Sequence, residues 1–364
     1  MNNRLKNLQA WMKENDIQIS FITSSENVFY LSGFYSNPHE RLLALAVFQD
    51  EEPFLVCPGM ERHGAKRSWE SEIIGYSDIE NPWEMIQKAI SRRIKNVSKV
   101  AIEKEHMIVE RYEAVSQLFP NITFISAEEK LRQLRMIKDA KELKTIEEAC
   151  ALADYAVEVG VSEIKEGKTE LEILSAIEFA LKKKGVTEMS FATMVLTGAN
   201  AANPHGTPGL NKIQKGDFVL FDLGVVVDRY CSDITRTVAF GDINDKQKEI
   251  YDTVLKAQLA AVEASKPGAT AADVDLTARR IITDAGYGEF FPHRLGHGLG
   301  ISVHEFPSMT ETNHLIIEEG MVYTIEPGIY VPDVAGVRIE DDVFITADGA
   351  KVLTKFPKEL QFIK

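Results

Sequence analysis

Residues 215–224, KGDFVLFDLG, decide the fold, because they return without gaps as residues 319–328, EGMVYTIEPG. Gly216 aligns with Gly320, Asp222 with Glu326 and Gly224 with Gly328, at an offset of 104 residues. A second match lies upstream of each copy. Gly167-Lys168-Thr169-x-x-Glu172 opens a helical stretch that closes near Gly185, and Gly268-Ala269-Thr270-x-x-Asp273 opens another that closes near Gly286, at an offset of 101 residues. In both, a threonine followed three positions later by an acid has the form of a capping box, more closely in the Glu172 copy. Chance produces one such match; two at nearly one offset indicate two related half-domains. A core built from them brings Asp222 and Glu326 to equivalent positions about a pseudo-twofold axis.

Outward from the repeat, Leu143, Ile146, Cys150, Ala153 and Val157 recur at spacings of three and four, the stripe of a long amphipathic helix. Before residue 128 the pattern changes. ISFIT (19–23), LLALAVF (42–48), PFLVC (53–57), KVAIE (99–103) and ITFIS (122–126) read as strands. Gln49-Asp50-Glu51-Glu52 separates two of them at hairpin distance. Helical composition fills the stretches around 60–70, 82–94 and 107–118. The alternation predicts an α/β domain over residues 1–127, with the repeat in a second domain over 128–364. The first domain carries no phosphate loop, no G-x-G-x-x-G and no nucleophile motif.

Composition narrows the function. Forty-one basic against 55 acidic residues leave a formal charge of −14, which repels nucleic acid and anionic lipid. The three cysteines, Cys57, Cys150 and Cys231, are too few and too scattered for a disulfide framework or a thiolate metal site. The first 16 residues read as an amphipathic helix rather than a signal peptide. No run approaches the ~18 apolar residues of a membrane span. These features predict a soluble, cytoplasmic protein.

The chemistry lies in the repeat. Asp222 ends the apolar run Phe218 to Phe221, and Asp233 follows in CSDITRTVAF, so a hairpin breaking near Asp228-Arg229 carries one acid on each arm. Glu326 and Glu340 take the corresponding places in the second half, across a longer turn with Pro327, Gly328, Pro332, Asp333 and Gly336. A buried carboxylate costs several kcal/mol unless it is paired or metal-bound. One such acid is readily explained by a turn or by pairing with Arg236 or Arg338. Four are better explained by two divalent ions that cancel their charge, as in dinuclear hydrolases whose metals lie ~3.5–4 Å apart. Three of the eight histidines, His293, His297 and His304, cluster in FPHRLGHGLGISVHEFP, where Gly296 and Gly298 leave His297 open to close approach. His205, alone in ANAANPHGTPG, reads by itself as a loop or capping residue. The zincin pattern H-E-x-x-H is absent. Oxygen donors with one imidazole suit Mn²⁺, Co²⁺ or Zn²⁺. Cys231, lacking a partner cysteine, reads as packing rather than ligation.

The ordered set Asp222, Asp233, His297, Glu326, Glu340, with the stretches FDLG, SDITRT, HRLGHGLG, VHE, TIEPG and VRIEDD, resembles the metal centre of the Xaa-Pro dipeptidase (prolidase) and aminopeptidase P family of pita-bread metallopeptidases. The resemblance implies an α/β creatinase-like N-terminal domain, an α+β pita-bread catalytic domain over residues 128–364, and two divalent ions, most naturally Mn²⁺. It implies that Asp233 and Glu340 bridge both ions, that Asp222 completes one site, and that His297 and Glu326 complete the other. A hydroxide between the ions would attack the carbonyl before proline, with Glu326 as general base. His304 corresponds to the histidine beside the tetrahedral intermediate, and His205 and His293 to substrate-contacting ones. Arg338 corresponds to a supporting arginine, and Tyr330 is carried over as a substrate contact.

The resemblance makes the expected partners small proline-containing peptides and a second copy of the chain in a homodimer, with no nucleic acid and no membrane. Two enzyme readings stay open, a dipeptidase cleaving Xaa-Pro and an aminopeptidase P acting on longer peptides; the short chain favours the first. A methionine aminopeptidase lacks such an N-terminal domain, and creatine amidinohydrolases lack the full ligand set. From a different class, the chain could be a catalytically silent binding protein on the same scaffold.

Overall fold

The computed structural model describes residues 3–119 and 121–364, which fall into two compact units, Met1–Arg135 and Met136–Lys364. The first holds strands β1 (Ile19–Ile22), β2 (Ala44–Phe48), β3 (Phe54–Pro58), β4 (Glu72–Tyr76), β5 (Lys99–Ile102) and β6 (Thr123–Ser126). They form one mixed sheet in the order β4-β3-β2-β1-β5-β6. Every residue of β1, β2 and β3 is buried, the pattern of strands covered on both faces. The helices of this stretch are α1 (Asn3–Glu14), α2 (Ser25–Ser32), α3 (Arg62–Ala65), α4 (Pro82–Arg93), α5 (Val109–Leu118) and α6 (Glu128–Met136). The five anticipated strands form, and the hairpin across 49–52 is the antiparallel β2–β3 pair. Strand β4 goes beyond the anticipated set: its five residues, EIIGY, contain a glycine and are stabilised by parallel pairing with β3. The helix expected around 60–70 shrinks to the four residues of α3.

The second unit is the duplication made physical. Helices α7 (Ala140–Ser162) and α8 (Glu170–Lys183) accompany β7 (Met194–Thr197), β8 (Phe218–Leu223), β9 (Val226–Val227), β10 (Tyr230–Cys231) and β11 (Ile234–Phe240). Helices α9 (Asp245–Ala264) and α10 (Ala271–Asp284) precede β12 (Gly296–Gly298), β13 (Glu305–Met309), β14 (Val322–Ile325), β15 (Gly328–Val331), β16 (Ala335–Arg338), β17 (Asp341–Thr346), β18 (Gly349–Val352) and β19 (Phe362–Ile363). Two sheets result, ordered β19-β11-β8-β7 and β13-β12-β14-β17-β18. Each has its own apolar core, with Ala153, Ile177 and Phe221 in the first half and Val254, Ala278 and Tyr323 in the second.

Local details repeat as well. Both capping boxes close, Thr169 with Glu172 and Thr270 with Asp273. Gly167 N–H donates to Ile213 at 2.9 Å, and Gly268 N–H donates to Ile317 at 3.0 Å. Gly216 and Gly320 turn at φ of 92° and 91°, a left-handed conformation that favours glycine. In each half the central hairpin peels away from its sheet as a two-stranded ribbon, β9–β10 and β15–β16. The first ribbon turns through Asp228 (φ 44°) and Arg229 (φ 73°), a tight turn with left-handed residues at both central positions. Where the sequence suggests a long irregular turn, the second is a paired ribbon despite its prolines, which sit just outside the pairing.

The register corrects one expectation. Asp222 lies opposite Thr235, and Ile325 lies opposite Asp341, so the next step sets Glu326 across from Glu340. Thr235, not Asp233, is therefore the positional mate of Glu340. The two mates meet: Thr235 Oγ1 donates to Glu340 Oε2 at 2.6 Å, and Glu340 N–H donates to Thr235 O at 3.0 Å. Among the described residues, no helix is long and apolar enough to cross a membrane.

Candidate metal centre

Strand ends deliver the four acids to one place. Asp222 is the penultimate residue of β8, Asp233 directly precedes β11, Glu326 follows β14, and Glu340 precedes β17. His297 sits in the middle of β12, where the register shifts between His297 and Gly298. Such a bulge re-aims a side chain that regular pleating would direct elsewhere. Among the described residues, one set of three offers ligand atoms all within 4.8 Å of one another, namely Asp233, His297 and Glu340. Glu326 joins them, with Oε1 at 3.3 Å from His297 Nε2, while Asp233 Oδ2 lies at 3.7 Å from the same nitrogen. Asp222 reaches the cavity from the facing hairpin and accepts from Arg338 Nη2.

The donors are incomplete in a way that fits divalent ions. Asp222 Oδ1, Asp233 Oδ1 and Glu340 Oε1 are buried without a hydrogen-bond partner. Leaving a buried charged acceptor unsatisfied is expensive, and a cation supplies what no protein donor does here. His297 Nδ1 lies at 3.1 Å from Gly298 O, a partner that can only accept. That fixes the proton on Nδ1 and leaves the Nε2 lone pair directed at the acids, the usual arrangement of a ligating imidazole. Burial, then the Glu340 and Asp222 charges, pushes Asp233 well above the ordinary aspartate range. Burial, then Glu326 and Asp222, does the same to Glu340. Burial carries Glu326 up to about 7 and takes His297 down to about 3. Four oxygen donors and one imidazole fit Mn²⁺, Co²⁺ or Zn²⁺ and not a thiolate metal.

The other anticipated residues line the same cavity of about 440 Å³: His205, His293, His304, Tyr330 and Arg338. Arg338 is buried and donates to Tyr330 Oη at 2.8 Å and to Thr235 Oγ1 at 3.1 Å. Tyr330 Oη in turn lies at 2.9 Å from His293 Nε2, whose Nδ1 is held at 2.8 Å by Arg294 O. The result is a chain from Asp222 through Arg338 and Tyr330 to His293. His304 stacks edge-on against His297, with ring centroids 4.3 Å apart. Burial depresses His293 to about 4 and also lowers His304. From helix α10, Asp275 accepts from Leu295 N–H at 3.1 Å and Arg279 donates to His293 O at 3.0 Å, so the histidine segment is fixed from behind.

Sequence reasoning passed over several residues here. Thr324 bridges His297 N–H (3.1 Å) and Glu326 Oε1 (3.2 Å). Asp342, pushed up to about 8 by burial, accepts from Asp233 N–H at 2.9 Å and from the Cys150 thiol at 3.3 Å. The consecutive acids Glu340-Asp341-Asp342 were the available signal for Asp342; Thr324 left none. Cys231 is buried, with Sγ at 3.6 Å from Ile301 O, and takes no place in the three-residue ligand set. Cys231→Ala is expected to lower stability by about 1 kcal/mol and leave metal stoichiometry unchanged, read by metal analysis of the purified protein.

Comparison with known proteins places these observations. The description Metallopeptidase family M24 matches residues 144–347, and Creatinase/Prolidase N-terminal domain matches residues 4–137. An Xaa-Pro dipeptidase of Lactobacillus delbrueckii subsp. lactis is 44% identical over 362 residues, 99% of this chain and 98% of its own. The prolidase from Pyrococcus horikoshii OT3 superposes with a TM-score of 0.91 at 38% identity, covering 99% of this chain and 100% of that one. The X-Pro aminopeptidase from Thermotoga maritima MSB8 superposes with a TM-score of 0.89 at 30% identity, covering 99% and 100%. Matched by the peptidase description over more than half its length and by the lactobacillal relative over nearly all of it, the chain belongs to metallopeptidase family M24.

Proposed function

We propose that this peptidase is an Xaa-Pro dipeptidase that works with two divalent ions, Mn²⁺ in the first instance, held by Asp222, Asp233, His297, Glu326 and Glu340. The observation that carries the reading is the convergence of four acids and one bare imidazole nitrogen on a cavity of about 440 Å³, with three buried carboxylate oxygens left unpartnered. When bound, the ions supply Lewis acidity and a water that is nucleophilic near neutral pH. Everything else is work for the chain's own side chains. Glu326, at the end of β14, takes the proton of the attacking water and returns it to the departing proline nitrogen. His304, whose pKa partial desolvation lowers, donates to the oxyanion of the tetrahedral intermediate. His205 and His293 contact the substrate, and Tyr330 orients His293 through their 2.9 Å contact. Arg338 holds Asp222 and Tyr330 in register.

Proline specificity rests on the dipeptidase and prolidase relatives. The aminopeptidase reading has its own support in the Thermotoga maritima neighbour, since the same centre serves either enzyme. The two differ in how the cavity treats a free carboxylate after proline. The discriminating experiment strips the protein of metal, reloads it with Mn²⁺ and offers Ala-Pro and Ala-Pro-Ala side by side. Cleavage of Ala-Pro with the tripeptide slower by about tenfold or more, a difference of ~1.4 kcal/mol in transition-state binding, is the expected result. Preference for the tripeptide makes the enzyme an aminopeptidase. Hydrolysis of neither overturns the catalytic reading in favour of a silent scaffold.

A further inference from the structure

We propose that Glu170 is a positioning residue that sets His205 against the substrate; the inference rests on the reading of His205 as a substrate contact. Between the end of β7 and the start of β8 the chain makes one short helical turn, Gly198–Ala202, and then runs from 203 to 211 with neither helix nor strand. His205 lies in that run and faces the cavity. An irregular segment of this length holds one shape only if its backbone groups find fixed partners.

Glu170, the first residue of α8 and fully buried, supplies them. Its Oε1 accepts from Thr197 N–H at 2.8 Å and Asn200 Nδ2 at 3.0 Å. Its Oε2 accepts from Gly209 N–H at 2.7 Å, Asn211 Nδ2 at 3.1 Å and Asn200 Nδ2 at 3.1 Å. One carboxylate thus pins both ends of the segment. Asn200 passes the constraint inward. Its Nδ2 donates to Thr207 O at 3.2 Å, and its backbone oxygen accepts from Asn203 N–H at 3.1 Å. Asn203 O then accepts from Gly206 N–H at 3.0 Å. His205 is bracketed on both sides.

The repeat isolates what the acid is for. At the offset of the helix copies, Glu170 corresponds to Ala271. The backbones behave alike: Glu170 N–H donates to Asn211 O at 3.2 Å, and Ala271 N–H to Leu315 O at 3.0 Å. Only the side chains differ, so the half-domain fold does not require an acid there. In the second half the histidine-bearing segment is held instead by Asp275, one turn further along α10. Each half draws on a buried acid of its own helix, placed where its own histidine needs it.

Every polar group facing Glu170 is a donor, so glutamine is a poor substitute. Its amide would turn a second donor toward Thr197 N–H or Gly209 N–H. The test is a double-mutant cycle on the Mn²⁺-reloaded protein with Ala-Pro as substrate. His205→Ala is expected to lower kcat/KM about 100-fold and Glu170→Gln about 10- to 100-fold, the scale of a misplaced binding group. The double variant is expected to fall no lower than His205→Ala, within about twofold, because one residue acts through the other. Both Mn²⁺ ions stay bound in all four proteins, by metal analysis. Multiplicative losses, an unaltered Glu170→Gln, or loss of an ion in Glu170→Gln overturn the proposal alone. An unaltered His205→Ala overturns the reading of His205 and the proposal with it. Should Glu170→Gln fail to fold, Asn200→Ala, which removes only the relay, takes its place in the same cycle with the same criteria.

Discussion

Asp233→Asn is expected to lower Ala-Pro turnover by a factor on the order of 10³ or more, beyond the ~10–100-fold typical of losing an outer partner of a metal ligand. The protein should remain folded, because asparagine has nearly the shape of aspartate and its backbone N–H still reaches Asp342 at 2.9 Å. Stability should separate the two states. With metal removed, the wild-type chain confines four acids, three of them with an unpartnered buried oxygen. Neutralising Asp233 relieves that crowding, so the metal-free variant is expected to match or exceed metal-free wild type by up to about 1 kcal/mol. With Mn²⁺ at 100-fold over its Kd, wild type gains about 2.7 kcal/mol per ion, or roughly 5–10 °C in Tm. The variant should show half of that gain or less, so the order of the two melting curves reverses on adding metal. Calorimetry with and without Mn²⁺ reads the crossing. Two ions per chain in the variant, or undiminished turnover, would remove Asp233 from the ligand set.

Gly296→Ala is the second large effect. A Cβ placed there lies 1.9 Å from Thr324 O and 2.9 Å from Thr324 Oγ1, so β12 and β14 pass too close for even a methyl group. The strands must part by more than about 1 Å, at the upper end of the ~1–3 kcal/mol typical of overpacking. They part between His297, the next residue on one strand, and Glu326, just beyond the end of the other. Loss of one bound ion and at least about a 100-fold fall in kcat/KM are expected. Gly268→Ala provides the contrast. That glycine turns at φ 90° with nothing within 4 Å of an added methyl, so about 1 kcal/mol of backbone strain and unaltered metal content are expected. Equal damage from both substitutions would show that close approach at Gly296 has no special role.

The legibility of this chain follows from how local each feature is. Glycine turns, capping threonines and apolar runs are local, so the duplicated halves are readable without knowledge of any contact. The cluster His293, His297 and His304 is equally plain. Register is not legible. Their places on the arms of the two hairpins suggest that Asp233 and Glu340 are mates, and only the pairing of Asp222 with Thr235 corrects this. Nor can spacing reveal that Thr324 joins His297 to Glu326, or that a glutamate at the start of α8 governs a loop thirty-odd residues away. Those relations depend on pairings between distant strands and on which buried groups lack partners. The ribbon β15–β16 escapes a sequence reading for a related reason: its prolines advertise a turn, and only the facing strand reveals the ladder.

The last strand carries a consequence for synthesis. β19 pairs with the end of β11, Ala239 with Phe362 and Phe240 with Ile363, although the two are made about 120 residues apart. A ribosome adds roughly 5–20 residues per second, so the edge of β11 waits about 6–25 s for its neighbour. During that interval the nascent chain presents an open strand, a template for mispairing that the finished protein conceals. His297, Glu326 and Glu340 emerge in the same interval, so the proposed ion site is not yet complete while the first half waits. The nascent chain, before β19 is made, is where this edge stands open to mispairing.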